Sequence, residues 1–191
     1  MPGVIRTRVG YAGGTTKNPS YHDLGDHSEA IQIDFDPSRI SYRELLNIFW
    51  KSHDPTSGSW SRQYRQAIFY HNEQQRSVAM ETKDQLASET KVRITTAIEP
   101  YSRFYLAEDY HQKHSLRSYP EIMEGFRAMF PDLKSLINST AVTRVNGYLG
   151  GNGSCGSLKE EIESFGLSHK AKETLTSAVC GRKASISCPL Q

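Results

Sequence analysis

The stretch GYAGGTTKNPSYHDLGDHSEA, residues 10–30, is a glycine-punctuated loop between two strand-like segments, VIRTRV and AIQIDFD. Gly13 and Gly14 are expected to supply the unusual backbone angles that a tight exit from the first strand needs. Asn18-Pro19 marks a second turn, in which the proline stiffens the approach to Tyr21. A loop stiffened in this way predicts that Tyr21 and Glu29 are presented to one pocket.

The bulk composition is that of an ordinary globular protein of one domain. The chain has 191 residues, of which 37% are hydrophobic and 23% charged. A net charge of +2 and an isoelectric point near 8.4 are too mild to indicate a nucleic-acid or membrane surface. No apolar run is long enough to span a bilayer, and the N-terminus has no signal-peptide pattern. A nucleic-acid-binding module remains an alternative that rests only on mild basicity and aromatic content.

Hydrophobic periodicity predicts strands separated by helices, with some connections too short for crossovers. This pattern favours an α+β fold: a two-layer mixed sheet with packed helices and a C-terminal helical extension. Ser41-x-x-Glu44 is a capping box that opens a helix, and Ser157-x-x-Glu160 is expected to cap the last helix. The predicted strands are residues 4–9, 30–35, 65–71 and 94–100, and the predicted helices are 41–54, 72–88, 104–118, 120–130 and 132–149, with one more beyond Gly150-Gly151.

Glu29 is the first candidate for chemistry. It lies at the mouth of a strand whose next inward residues are apolar, so we expect it to be partly buried. A buried carboxyl without a cationic partner is pushed toward its neutral form, which can donate a proton. Tyr21 and Tyr64 are its natural companions, because a phenol can donate to an oxygen inside an apolar cage. The alternative is a solvated strand-end glutamate, with these tyrosines as packing residues among the ten in the chain.

Two histidine groups raise the alternative of a metal site. They are the cluster His22, Asp23, Asp26 and His27, and the pair His111 and His114. Neither group matches a known ligand spacing, and no cysteine lies nearby in sequence. A hydrogen-bonding His111 on a packed helix is therefore the preferred interpretation, and we expect no metal.

Three cysteines, Cys155, Cys180 and Cys188, lie in the last fifth of the chain. An odd and lopsided count does not predict a disulfide scaffold, and reduced or redox-active thiols fit better. Cys180 ends the last predicted helix and Cys188 is nearly terminal, so both lie where a chain can move, as a disulfide relay needs. Cys155 lies in a Gly/Ser linker and is expected to matter less. Incidental surface thiols remain the alternative.

A series of motifs follows in unbroken order from residue 3 to about residue 114: GYAGG, NPSY, GDHSEA, FDPSRISYRELLNIFWKSHDP, QYRQAIFY, ITTAIEP and FYLAEDYHQKH. Together these motifs resemble methionine sulfoxide reductase A. The continuation TRVNGYLGGNG is similar to that of the animal subgroup typified by insect enzymes. The resemblance implies a ferredoxin-like reductase core in residues 1–149 and a linker, helix and cysteine-bearing tail in residues 150–191.

The resemblance also implies an activity and a site. A nucleophilic cysteine attacks the sulfur of methionine-S-sulfoxide, a sulfenic acid forms as methionine leaves, and resolving cysteines and thioredoxin reduce it. Neither a cofactor nor a nucleic-acid or membrane partner is implied, and the expected location is cytoplasmic. By motif, the catalytic residues are Glu29, Tyr21 and Tyr64, the resolving residues are Cys180 and Cys188, and the substrate-binding residues are Trp60 and His111.

Three departures from the family pattern stand out. The Gly-Cys-Phe-Trp-Gly segment that holds the family's nucleophile is absent, and we expect it to lie upstream of Gly3; a selenocysteine codon read as a stop would explain such a start. The loop before Tyr64 is shortened to TSGSWSR and lacks the usual acidic residue, so Trp60 is expected to form an apolar wall instead. His114 stands where many members have tyrosine. The alternative function is a non-catalytic member that at most binds methionine sulfoxide, or a fragment without function.

Overall fold

The computed structural model describes residues 1–181, which form two compact units. The N-terminal unit comprises Pro2–Val4 and Arg8–Glu108, and the C-terminal unit comprises Met1, Ile5–Thr7 and the chain from Asp109 onward. The contacts thus divide the chain after Glu108, whereas the sequence analysis set its boundary after residue 149. No helix among the described residues is both long and apolar enough to cross a membrane.

The fold is a mixed α+β fold, as the strand and helix pattern predicted. The described strands are β1 (Val4–Ala12), β2 (Ser28–Phe35), β3 (Ala67–Tyr70), β4 (Ala97–Pro100) and β5 (Phe104–Leu106). The described α-helices are α1 (Tyr42–Lys51), α2 (Glu73–Thr90), α3 (His114–Arg117), α4 (Pro120–Met129), α5 (Leu133–Asn138), α6 (Thr140–Leu149), α7 (Cys155–Glu161) and α8 (His169–Cys180).

The first sheet has the strand order β2-β1-β5. β5 pairs antiparallel with β1, with Tyr11 opposite Tyr105. The prediction of a helix over residues 104–118 is therefore wrong at its start. A run of three apolar residues is too short to show a helical or a strand period, and its pairing with β1 makes it a strand. Gly10 is required at this pairing, since a Cβ there would lie 2.1 Å from the Tyr105 carbonyl oxygen.

The second sheet joins β3 and β4 in parallel, with α2 as the crossover between them. α1 and α2 pack on it through a core whose buried members are Leu46, Trp50, Ile68, Ala79 and Ile94. The indole N–H of Trp50 donates to the Thr82 hydroxyl at 3.1 Å, which satisfies the one polar atom of that ring. The predicted capping box of Ser41 and Glu44 is confirmed at the start of α1.

The C-terminal unit is helical. The single helix predicted over residues 132–149 is two helices, because Ser139 adopts an extended backbone and its side chain caps α6 by accepting from the Val142 N–H. The predicted cap Ser157 is also wrong: α7 begins at Cys155, and Ser154 caps it. The fully buried core of this unit, at 0% exposure, is Leu116, Ile122, Phe126, Val142, Val145, Leu158 and Leu175.

Candidate functional site

The loop between β1 and β2 is closed by Asp26. Its carboxylate accepts from the backbone N–H and the hydroxyl of both Thr15 and Thr16, at 2.8–2.9 Å. The Thr16 backbone hydrogen bond, with the other three, holds the pKa of Asp26 well below its usual range. Of the two glycines predicted to need unusual angles, only Gly13 has a positive φ, of 78°. Gly14 is needed for space, since a Cβ would lie 2.5 Å from an Asp26 carboxylate oxygen.

His27 also holds the loop between β1 and β2 closed. It is 1% exposed, its Nδ1 accepts from the Gly14 N–H at 3.2 Å, and its Nε2 lies 2.8 Å from the Thr16 carbonyl oxygen. This pairing fixes the neutral tautomer with the proton on Nε2. Both ring nitrogens of His27 are thus used by the loop backbone. Within residues 1–181, no three His, Cys, Asp or Glu side chains are grouped so as to hold a metal ion.

Tyr21 is held in place by Glu108. One Glu108 carboxylate oxygen accepts from the Tyr21 backbone N–H at 3.0 Å, and the other accepts from the Tyr11 hydroxyl at 2.6 Å. Tyr11 is 1% exposed, so the carboxylate connects the loop residue to a buried residue of β1. A charge-assisted pair of this kind orients the loop more firmly than neutral hydrogen bonds do.

The structure brings the three predicted catalytic residues together with a fourth, Gln63. The Gln63 amide donates to the Glu29 carboxylate at 2.8 Å and to the Tyr64 hydroxyl at 3.1 Å. The Gln63 carbonyl accepts from the Glu29 backbone N–H at 2.9 Å. The phenols of Tyr21 and Tyr64 are neighbours that interact electrostatically. We refer to Tyr21, Glu29, Gln63 and Tyr64 as the phenol–carboxylate cluster.

The electrostatics of this cluster favour retention of the Tyr64 proton. The neighbouring Tyr21 phenol, partial desolvation and the nearby charge of Glu29 raise the pKa of Tyr64 above its ordinary value. The expectation that Glu29 is partly buried is wrong, because its side chain is exposed at the start of β2. Ile31, two residues further along β2, is also 60% exposed, so this end of the strand does not enclose the carboxyl.

The two predicted substrate-binding residues lie in different units. Trp60 is 87% exposed, and its ring centroid lies 5.5 Å from that of Tyr64, so it flanks the phenol–carboxylate cluster. His111 belongs to the C-terminal unit, where it ends the one-turn 3-10 helix Asp109–His111 and its ring contacts Tyr110. The substrate-binding roles of Trp60 and His111 remain predictions.

Two arginines of the loop before β3 were missed by the sequence analysis. Arg62 donates to the carbonyl oxygens of Asp26 at 2.6 Å and Gly13 at 3.1 Å. Arg65 donates to the Ser28 hydroxyl at 2.8 Å and to the Glu99 carboxylate at 2.7 Å. These bonds hold the segment that carries Gln63 and Tyr64 against the loop that carries Tyr21 and Glu29.

The cysteines differ from their predicted arrangement. Cys155 is the first residue of α7, not part of a linker, and it forms a disulfide with Cys180, the last residue of α8. Cys188 lies outside the described residues 1–181. The resolving roles assigned to Cys180 and Cys188 remain predictions.

Two phenols, a carboxylate and an amide thus lie in one exposed cluster, and groups of these kinds can hydrogen-bond a small polar oxygen. Comparison with known proteins shows the family of the chain. The profile of the family described as peptide methionine sulfoxide reductase matches residues 1–128. The chain therefore belongs to the peptide methionine sulfoxide reductase family.

Individual relatives are similar over much of the chain. A peptide methionine sulfoxide reductase of Drosophila melanogaster is 41% identical over 86% of this chain and 67% of its own length. The A5 protein of Arabidopsis thaliana is 39% identical over 76% of this chain and 59% of its own length. The chain thus spans about three fifths to two thirds of these curated relatives.

Solved structures support the fold. Reduced Mxr1 from Saccharomyces cerevisiae matches with a TM-score of 0.57 and 30% identity, over 62% of this chain and 73% of its own. Methionine sulfoxide reductase A of Corynebacterium diphtheriae matches with a TM-score of 0.54 and 33% identity, over 63% of this chain and 66% of its own.

Proposed function

We propose that the chain serves the reduction of methionine-S-sulfoxide, free or in proteins, to methionine, with thioredoxin as the final reductant. The observation that carries this proposal is the phenol–carboxylate cluster. It groups the three residues that match the family's substrate motifs: Gln63 bonds to both Glu29 and Tyr64, and Tyr21, 43 residues before Tyr64 in sequence, lies close enough to shift the pKa of Tyr64.

The cluster suits the chemistry of a sulfoxide oxygen. The phenols of Tyr21 and Tyr64 donate to that oxygen, and the raised pKa of Tyr64 keeps its proton available. The Glu29 carboxyl is exposed and accepts from the Gln63 amide at 2.8 Å, so a substrate can reach it, and it is the candidate proton donor to the departing oxygen.

In this reaction a thiolate forms a bond to the sulfoxide sulfur while the sulfoxide oxygen takes up a proton. The oxygen passes to the attacking sulfur, the substrate's sulfur–oxygen bond and the new sulfur–sulfur bond break, and methionine leaves. The sulfenic acid that remains reacts with a second thiol to give a disulfide and water, and thioredoxin reduces that disulfide. In family members the nucleophile lies in a Gly-Cys-Phe-Trp-Gly segment, and the printed sequence contains no such segment.

The second candidate function is methionine sulfoxide binding without turnover. The phenol–carboxylate cluster alone would support it, because its groups can bind a sulfoxide oxygen without forming a bond to the sulfur.

One assay separates the two candidates. The assay compares the 191-residue chain with an extended chain that carries a Gly-Cys-Phe-Trp-Gly segment upstream of Met1. Each is given methionine-S-sulfoxide with dithiothreitol. We expect binding by both, and turnover only by the extended chain, because thiolate attack makes the new bond. Turnover by the 191-residue chain would make a cysteine of the C-terminal region the nucleophile. If neither chain turns over the substrate, the second candidate function, binding without turnover, is supported.

Finer features are also part of the proposal. The family resemblance is the basis for four of them: a ferredoxin-like two-layer arrangement of the core, a functional boundary near residue 149, thioredoxin as the protein partner and a cytoplasmic location. Capture of a thioredoxin whose second cysteine is replaced by serine, as a mixed disulfide with the oxidised extended chain, tests the partner directly.

A further inference from the structure

Gln63 lies on a segment that is fastened to the start of β2. The Ser28 hydroxyl donates to the Arg62 carbonyl oxygen at 2.9 Å, and the Glu29 backbone N–H donates to the Gln63 carbonyl oxygen at 2.9 Å. On the other side of Gln63, Arg65 donates to the Ser28 hydroxyl at 2.8 Å. The main chain of Gln63 is therefore held by contacts that do not involve its own side chain.

The Gln63 amide nitrogen donates two hydrogen bonds within the phenol–carboxylate cluster. One goes to Glu29 Oε1 at 2.8 Å, and the other goes to the Tyr64 hydroxyl oxygen at 3.1 Å. An ionised carboxylate can only accept, so the amide nitrogen and not the amide oxygen faces Glu29. Because both N–H groups of the amide are used, Gln63 has no proton left for a further acceptor such as a sulfoxide oxygen.

The bond from Gln63 limits where the Tyr64 proton can go. A phenol has one O–H to donate, and the Tyr64 oxygen already accepts from Gln63. The amide nitrogen is a donor that cannot accept, so the Tyr64 O–H has to be directed to a different acceptor. The same bond favours the phenolate, and it partly offsets the groups that raise the pKa of Tyr64.

The bond from Gln63 also distinguishes the two oxygens of Glu29 when that carboxyl is protonated. A protonated carboxyl has one oxygen that carries the proton and one that only accepts. Because Gln63 donates to Oε1, Oε1 is the accepting oxygen and the proton is on Oε2. Gln63 thus selects the oxygen of Glu29 that can donate.

We propose that Gln63 is a positioning residue for the reduction of methionine-S-sulfoxide. Its amide turns the O–H of Tyr64 and the Oε2 proton of Glu29 away from itself and toward one substrate oxygen that accepts from both. This inference rests on the proposed function for the identity of that oxygen. Gln63 itself transfers no proton. Its contribution is orientation, because donors that are set before the substrate binds need no rearrangement as charge develops on the oxygen.

The hydrogen bonds of Gln63 are tested in the 191-residue chain without substrate. The two amide protons of Gln63 give separate nuclear magnetic resonance signals in the nitrogen-15-labelled protein. Gln63→Met, which is similar in length and has no donor, identifies the pair by its loss. We expect Tyr64→Phe, which keeps the ring and removes the acceptor, to move one signal, and Glu29→Met to move the other. A pair of signals that stays in place in either variant would overturn the proposal.

The consequence for the reaction is tested in the extended chain. We expect Gln63→Met to lower the single-turnover rate roughly 10- to 100-fold, the range that hydrogen bonds to charged groups give, with a smaller change in KM. The loss should be smaller when Tyr64→Phe is already present, because one of the two oriented protons is then gone. An unchanged rate, or a loss of equal size in both backgrounds, would contradict the positioning role.

Gln85→Met is the matched control. Gln85 is exposed on α2, and its amide donates to the Glu89 carboxylate at 2.8 Å, as the Gln63 amide does to Glu29. It should leave both the rate and the Gln63 signals unchanged. The two ways of failing are distinguishable: absence of turnover in the unsubstituted extended chain overturns the proposed function, whereas the amide signals decide the hydrogen bonds of Gln63 in either case.

Discussion

At the scale of single residues, the sequence marked candidate groups but could not give their surroundings. Tyr21, Glu29 and Tyr64 could be chosen because loop context and short motifs mark them. Glu108 could not, because its bond to Tyr21 spans 87 positions and no local pattern records it. The expectation that Glu29 is partly buried was wrong for a related reason. Apolar neighbours in sequence do not cover the end of a strand unless other elements pack there.

Replacement of Glu29 by glutamine tests its role as a proton donor. In the extended chain, Glu29→Gln keeps an amide that can bind the sulfoxide oxygen but cannot transfer a proton. We expect the chemical step to slow by roughly 10²–10⁴, the usual range for general acid–base catalysis, with a smaller change in substrate affinity. Single-turnover kinetics measure the step.

Glu89→Gln is a matched control for this experiment, because Glu89 is also exposed and also accepts from a glutamine amide, that of Gln85 at 2.8 Å. It should leave the rate unchanged. Equal single-turnover rates for the Glu29→Gln variant and the unsubstituted extended chain would show that Glu29 is only a solvent-exposed residue at the strand end.

Glu108→Gln is expected to loosen Tyr21. The neutral amide can accept from only one of the Tyr11 hydroxyl and the Tyr21 N–H, and its nitrogen can only donate to the Tyr11 oxygen. Exchanging two hydrogen bonds to a carboxylate for weaker neutral ones costs roughly 1–3 kcal/mol of unfolding free energy, measured by urea denaturation. Tyr11→Phe, which removes one donor and keeps the carboxylate on Tyr21, should slow turnover less than Glu108→Gln. Equal stability and turnover in all three proteins would refute the anchoring role of Glu108.

At the scale of elements, elements with local signals were predicted well and those decided by tertiary contacts were not. α1 has its capping box in the sequence, and α2 has Asn72 as its N-cap. β5 is three residues long and exists because it pairs with β1, so a helical pattern could be fitted to it equally well. The break between α5 and α6 depends on a single serine cap, which a periodicity analysis does not detect.

The loop between β1 and β2 gives a prediction at this scale. In Gly14→Ala the new Cβ would lie 2.5 Å from an Asp26 carboxylate oxygen and 2.7 Å from the His27 backbone nitrogen. Because the second neighbour is backbone, the Asp26 closure has to shift, at a cost of about 1–3 kcal/mol, typical of overpacking.

Gly58→Ala is the matched control, since nothing lies within 4 Å of its Cβ position. It is expected to be neutral or slightly stabilising, through the unfolded chain. Amide hydrogen exchange in residues 13–27 should rise in Gly14→Ala alone, and unchanged exchange there would show that the closure tolerates a side chain.

At the scale of the whole molecule, the α+β class followed from the order of strands and helices. The functional boundary at Gly150-Gly151, where composition changes, stays a prediction. The two compact units are a different division, with the change after Glu108, because the core of α3 to α8 is assembled from residues on both sides of those glycines. Composition marks flexible backbone, whereas a unit is defined by which apolar faces share one core.

Each unit contains a tyrosine whose titration links stability to alkaline pH. Burial raises the pKa of Tyr42 in the N-terminal unit from 10.0 to about 12. In the C-terminal unit, burial and the hydrogen bond to Glu161 raise the pKa of Tyr148 from 10.0 to about 12. Between these two values the unfolded chain has lost the phenolic proton and the folded chain retains it. Stability therefore falls as pH rises through this window, and is unaffected by these groups below it.

We predict that phenylalanine at either position flattens this alkaline decline. Tyr42→Phe and Tyr148→Phe should each reduce the loss of unfolding free energy between about pH 10 and pH 12, because each removes one group whose pKa differs between the two states. Urea unfolding at a series of pH values measures the slope, and the double variant should be flatter than either single one because the two groups lie in different units. Tyr101→Phe, a half-buried ring stacked on His71, is the control for loss of a phenol as such. An alkaline slope that is identical in the original chain and the double variant would show that neither phenol is linked to folding.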